Sequence, residues 1–416
     1  MTEGEHEPDE PATTTLAVPP VEPAQPQDVR PRVVLLGADE RSRELAIALR
    51  HFGAEVIAVD VHPDAPAYEV ADQSLELAMT DADELEAAIR RLQPDFVVTA
   101  TDAVSPDALA AVEAPEAGAQ HGFTELVPSA RCVRLTSDRE GLRRFAADHL
   151  GLPTAPFWFA GSLDELQAVA AHAGFPLLVK PVTGPAGRGH SVVAGPGDVQ
   201  RAWQHAVGSG GRVLAETVVE VQVHVTLIVV RGDGPRGPAI EFCAPIGRRG
   251  AAADGLESWQ PQPLSPAALD AARSIAARVV KALGGRGVFS VDLMINGDEV
   301  YFADVAAWPH DSAWVTLRSQ RLSAFELQAR VILGLVVDTM MISPGAARVL
   351  NPGDRTGRAE GAPTGDALAE AAGVPESDVR VFGRGRGVAL ATAPDVAAAR
   401  DRAREVAAAL FGHRQQ

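Results

Sequence analysis

The feature that most constrains this chain is an alternation that begins at Arg32. Val33-Val34-Leu35-Leu36 is a short apolar run closed by Gly37, residues 43–52 have helical periodicity, and 56–60 is a second apolar run. Residues 83–92 are helical again, and 96–99 form a third run. Such alternation predicts right-handed βαβ units and a parallel sheet. Ligands bind beyond the carboxyl ends of the strands in these sheets. Gly37, Glu40, Arg41, Asp60, Ala100 and Asp102 therefore share one rim.

After about residue 127 the pattern changes. Helices are expected over 138–150 and 163–173, then a buried strand over 175–181 that carries Lys180 near its end. A glycine-rich loop follows, Gly184-Pro185-Ala186-Gly187-Arg188-Gly189. Strands at 192–193, 212–216 and 221–230 suggest an antiparallel sheet. A long amphipathic helix over 266–284 has Ser265 placed to cap it and Pro266 at its first position. Runs 288–292 and 300–305 read as a hairpin turning at Asn296-Gly297-Asp298. The last part, with helices over 366–372 and 395–410 and strands over 379–382 and 387–392, reads as a small α+β unit. Residues 1–30, rich in Pro, Glu, Thr and Ala without periodicity, read as a disordered tail.

Composition excludes several classes of function. The net charge is −18 and no basic stripe interrupts it, so nucleic acid is not an expected partner. No stretch reaches the roughly 20 apolar residues of a membrane span. The opening MTEGEHEPDE is acidic and lacks the apolar run of a secretory signal. Two cysteines, Cys132 and Cys243, are too few for a disulfide framework, and a cytoplasmic location is expected.

Three local patterns carry chemistry. Lys180 precedes a loop whose glycines allow backbone N–H groups close to phosphate oxygens, with the lysine as a point charge; a solvated surface loop is the alternative. Asp292 and Asp304 each interrupt an apolar strand of the hairpin, where a divalent cation would relieve paired carboxylates; two acids facing water are the alternative. Pro309-His310-Asp311-Ser312 follows directly, with Asp311 or Ser312 as a helix cap or as a ligand.

These patterns, with the segments DREGL (138–142), PLLVKPV (176–182), FCAPIG (242–247), ESWQPQ (257–262), KALGGRGVF (281–289) and GVALAT (387–392), resemble the formate-dependent phosphoribosylglycinamide formyltransferases, an ATP-grasp family. The resemblance covers about residues 32–412. It implies an α/β fold with an N-terminal parallel-sheet pre-ATP-grasp domain (31–126), an ATP-grasp domain (127–344) and a small C-terminal α+β domain (345–416), in a homodimer. It implies ATP and Mg²⁺ as cofactors and formate and glycinamide ribonucleotide as substrates, with no covalent nucleophile. ATP would be bound by Arg139, Lys180, Gly184, Gly187, Arg188, Gly189, His190, Glu216, Thr217, Val218, Val219 and His224. The nucleotide substrate would be bound by Glu40, Arg41, Asp311, Arg384 and Arg386, and the metal by Asp292 and Asp304.

The chain departs from the family pattern at ligand-facing positions. The family's GSGELG is Gly37-Ala38-Asp39-Glu40-Arg41-Ser42, and a substrate-gripping glutamate falls at Ala100 with Asp102 two residues away. Both metal-ligand glutamates are aspartates, a ribose-binding glutamate is His224, and a loop lysine is Arg188. SPRPHD becomes Ala306-Ala307-Trp308-Pro309-His310-Asp311, with an arginine lost at Trp308. These changes leave open a paralogue with another carboxylate or amine, or a non-catalytic relic.

Overall fold

The computed structural model describes residues 30–114, 124–182, 189–207, 211–234, 237–250, 255–350, 363–382 and 385–412. The expected tail up to residue 29 and the site positions Gly184, Gly187, Arg188 and Arg384 lie outside the described residues. The first sheet holds β1 (Arg32–Leu36), β2 (Glu55–Asp60), β3 (Gln73–Glu76), β4 (Phe96–Thr99) and β5 (Glu125–Val127), in the order β3-β2-β1-β4-β5 and parallel throughout. β1 is buried on both faces. Val34 and Leu36 meet the helices Ala82–Leu92 and Pro106–Glu113, while Val33 and Leu35 meet Glu40–His51 and Ala324–Ile332. Burial on two faces explains a continuous apolar run in place of alternation. The edge strand β3, QSLE, is mostly exposed and polar, so it carries no apolar signal.

The second sheet is antiparallel, with β6 (Phe157–Ala160), β7 (Leu177–Pro181), β8 (Ser191–Val193) and β9 (Val213–Thr217) in the order β6-β9-β7-β8. The helices Leu163–Ala173 and Val199–Val207 bury Leu166, Ala170, Val199 and Ala202 against it.

The third sheet holds β10 (Val223–Gly234), β11 (Gly237–Phe242), β12 (Ile246–Arg249), β13 (Glu257–Gln260), β14 (Gly287–Asn296), β15 (Glu299–Ala306), β16 (Gly345–Leu350), β17 (Ser377–Val381) and β18 (Gly387–Thr392). Its order is β15-β14-β10-β12-β13-β16-β18-β17, with β11 on β10. The helix Pro266–Leu283 packs Ile275, Val279 and Leu283 with Leu227, Val291 and Phe302, and Ser265 caps it by accepting from Ala268 N at 3.1 Å. The C-terminal strands extend this sheet, because β16 pairs with both β13 and β18. The expected helix over 138–150 is the helix Arg139–Arg144 followed by a π-helical turn, Phe145–His149. No helix among the described residues is long and apolar enough to cross a membrane.

Candidate active site

Lys180 lies near the end of β7 and is half-buried, and Glu216 lies beside it on β9. The lysine Nζ donates to Glu216 Oε2, and the buried Arg143 donates to Glu216 Oε1 through Nη2 and to the Phe302 carbonyl through Nη1 at 3.1 Å. Burial alone would raise the Glu216 carboxyl; Lys180 and Arg143 outweigh it and hold the group ionised, below its ordinary range. The Glu216 carboxylate thus turns inward, and only its backbone is left for the hinge. Thr217 N donates to Pro156 O at 2.9 Å and Val218 N to Pro176 O at 3.2 Å, so both amides brace the turn that leads to Val219. His190 completes the cluster. Burial, Lys180 and Arg139 push its imidazole down to about 4, so it is neutral at pH 7. Gly189 has φ +72 and packs against Pro181, where a Cβ would lie 3.2 Å from the proline Cγ.

The hairpin forms the next part. Asp292 on β14 and Asp304 on β15 are register partners beside a bulge. Asp292 Oδ1 accepts from Thr226 Oγ1 at 2.7 Å and His310 Nε2 at 3.1 Å, and Oδ2 accepts from Arg248 Nη2 at 3.0 Å. Ser312 N donates to His310 Nδ1 at 3.3 Å, which leaves Nε2 to carry the proton toward Asp292. Burial would raise Asp292, but Arg248, His310 and Thr226 hold it far below the usual carboxylate range. Asp304 behaves oppositely: burial within the protein and the neighbouring Asp292 raise it, although its surface remains open to the cleft. A divalent cation between the two would relieve that crowding. Among the described residues no group of three or more His, Cys, Asp or Glu is arranged as a metal cage. Magnesium takes few carboxylates and fills its shell with phosphate and water, so the pair fits it. His224 pairs across β12 with Arg248 and opens onto the same cleft, where burial and Arg248 lower its imidazole.

The rim of the parallel sheet supplies a second cluster. Asp39 caps the helix Glu40–His51, accepting from Arg41 N at 3.0 Å and Ser42 N at 2.9 Å. Gly37, at φ +90, lets the chain turn there; a Cβ would sit 2.9 Å from Thr101 Cβ. Glu40 is buried and accepts from Arg386 Nη1 at 2.7 Å; burial still raises its carboxyl. The Arg41 guanidinium donates to Asp39 and stands 3.8 Å from Asp311 Oδ1. Arg41, Ala100 and Trp308, all positions where the family pattern is broken, line one narrow cavity. The expected cap by Asp311 or Ser312 is corrected: His310 is the N-cap of the short 3-10 helix Asp311–Val315 and accepts from Ser312 N, because its ring is already fixed by Asp292.

Asp102 feels charges of both clusters. Burial and Asp304 raise its carboxyl against the opposite pull of Arg139 and Arg41, although the residue is exposed. Three members of the site were not singled out from sequence: Arg143, Thr226 and Arg248. Arg143 carried one usable signal, its position one turn after Arg139 on the same helix. Arg248 carried none, because only the β10–β12 register brings it to Asp292. The thiols of Cys132 and Cys243 are buried and pushed up to about 12, so neither is a nucleophile near neutral pH.

The chain matches the ATP-grasp domain family over residues 145–325. It is 45% identical over 393 residues to the formate-dependent phosphoribosylglycinamide formyltransferase of Paraburkholderia xenovorans (strain LB400), covering 91% of this chain and 95% of that one. The enzyme of that description from Rhodococcus jostii (strain RHA1) is 46% identical over 389 residues, covering 90% and 94%. A solved structure from Mycobacterium tuberculosis, described as glycinamide-RNase-transformylase T, is 67% identical, with a TM-score of 0.79 and coverage of 91% and 99%. On its sheets, its site and these relatives, the chain belongs to the formate-dependent phosphoribosylglycinamide formyltransferase family.

Proposed function

We propose that this chain uses ATP to activate formate and transfers the formyl group to the amine of glycinamide ribonucleotide. The observation that carries the reading is the convergence of Lys180 and Glu216 with the Asp292–Asp304 hairpin through Arg143, whose guanidinium bonds both Glu216 and the Phe302 carbonyl. Phosphoryl transfer asks a protein mainly for positioning and charge neutralisation, and this cleft offers both.

In the first step a formate oxygen attacks the γ-phosphorus and the bond to the ADP oxygen breaks, giving formyl phosphate and ADP. In the second, the amine attacks the formyl carbon and the carbon–oxygen bond to phosphate breaks. The amine proton leaves with the phosphate. Arg139 and Lys180 hold the ATP phosphates, and the loop containing Gly184, Gly187, Arg188, Gly189 and His190 closes on them. Glu216, through its backbone, with Thr217, Val218 and Val219, holds the adenine edge, and His224 lies at the ribose. Magnesium held by Asp292 and Asp304 would spread the charge of the transferring phosphoryl group. Glu40, Arg41 and Asp311 meet the acceptor, and Arg384 and Arg386 meet its phosphate. The working divisions are 31–126, 127–344 and 345–416, and the working assembly is a cytoplasmic homodimer.

One observation favours a second reading, the same activation with a different amine. Arg41 points at Asp311, and Trp308 and Ala100 wall the cavity beside it, so the acceptor end is the altered end. ADP release measured with ATP, magnesium and formate, with and without glycinamide ribonucleotide, separates the two. Release that depends on glycinamide ribonucleotide supports the first reading. Release that requires formate but is indifferent to that nucleotide supports the second, and no release with any carboxylate defeats both.

A further inference from the structure

Glu216 is a buried carboxylate shared by two cations of different kinds. Arg143 is 6% exposed, is fixed by a second bond to the Phe302 carbonyl at 3.1 Å, and lies 5.8 Å from the Phe157 ring centroid. Lys180 is 24% exposed and makes its ion pair with the other oxygen of Glu216. An arginine fork bound at two points stays in place, whereas a lysine ammonium on a flexible stem exchanges partners readily. A lysine whose only role was to neutralise a buried glutamate could not leave it for phosphate, because an uncompensated buried carboxylate is strongly unfavourable.

We propose that Arg143 is a positioning residue, the permanent counter-ion of Glu216, which frees Lys180 to move from that carboxylate to the ATP phosphates. The Phe302 contact adds a distance constraint: Phe302 lies two residues before Asp304 on β15, so one guanidinium ties Glu216 on β9 to the strand that carries Asp304. The inference rests on the reading above that Lys180 binds phosphate.

The test compares Arg143→Met, Arg143→Lys, Glu216→Gln, the double variant Arg143→Met/Glu216→Gln, and Lys180→Ala, each with ATP KM, kcat and ATP affinity. Arg143→Met should raise the ATP KM roughly thirtyfold, as breaking one partner of a buried pair does, with a smaller change in kcat. Adding Glu216→Gln removes the charge that traps Lys180, so the double variant should recover to within about threefold of Glu216→Gln alone. Arg143→Lys should fall between wild type and Arg143→Met. Thermal unfolding identifies a variant that fails to fold; if Arg143→Met does so, Arg143→Lys against Arg143→Lys/Glu216→Gln carries the same comparison. A double variant no better than Arg143→Met, or a loss confined to kcat, overturns the inference. Lys180→Ala separates the levels. Unchanged ATP affinity there defeats the phosphate reading and this inference with it, while a loss there beside an unaffected Arg143→Met defeats this inference alone.

Discussion

The two ends of the cleft are built by different means. At the phosphate end the acids sit on strands, and two of them are bonded more than once: the buried Glu216 by Arg143 and Lys180, and the partly buried Asp292 by Thr226, His310 and Arg248. At the acceptor end they sit at a helix start and on loops, in ion pairs open to water on at least one side. Arg386 is 47% exposed where it meets Glu40. Groups held by packing and second bonds are preorganised for charge that develops in a transition state. Ion pairs at a wet rim exchange at little expense and suit a substrate that must displace them. Arg41, Ala100 and Trp308 meet at this exchangeable rim, in one narrow cavity.

The largest expected effect lies at the phosphate end. Lys180→Ala should lower kcat/KM for ATP by about a thousandfold, the scale of losing a charge-stabilising donor. Its fold should survive, because Arg143 still neutralises Glu216. Circular dichroism and ADP-release assays check both halves, and full turnover would remove the lysine from the site.

The hairpin acids should separate activity from stability. Asp292→Asn leaves Arg248 facing a neutral amide and should destabilise the protein by about 3 kcal/mol, the scale of a broken buried pair. Asp304→Asn removes a carboxylate crowded by Asp292, so denaturant unfolding should show no loss of stability while ATP turnover falls. Equal destabilisation by both would contradict the asymmetry drawn between them.

At the rim, Arg386→Ala should raise the acceptor KM about tenfold, the order of one charge-assisted contact. The ATP KM should stay as it is and the stability change should remain under about 1 kcal/mol, since the Arg386 side chain is half exposed. A matching rise in the ATP KM would mean the two ends are not separable.

The smallest effect is one of pH. His190 is held down to about 4, below the ordinary histidine value of 6.5. Between those values the unfolded chain binds a proton that the folded site does not, so stability falls as pH drops from about 6.5 toward 4. Chemical denaturation of His190→Gln should show a shallower fall over that window. Identical slopes would place the imidazole outside the cation cluster.

The same contrast explains what the sequence disclosed. Lys180, Asp292 and Asp304 were legible because each charge interrupts an apolar strand, and β1, β2 and β4 because burial on two faces writes a continuous apolar run. Ser265 was legible as a cap from local chemistry alone. Arg248 was not, since its partner is set by the register of β12 on β10. The inward turn of Glu216 was hidden for a similar reason: Arg143 reaches it from a helix far away in the chain. His310 took the capping position expected of Asp311 or Ser312 because Asp292 fixes its ring from outside the loop.

The central claim is that formate is activated through a bond from its own oxygen to phosphorus. It is tested most directly by running the reaction with formate labelled with ¹⁸O and analysing the inorganic phosphate by mass spectrometry. Each phosphate released should carry one labelled oxygen, because the carbon–oxygen bond breaks in the second step and leaves that oxygen on phosphorus. Unlabelled phosphate formed alongside the formylated amine would contradict it.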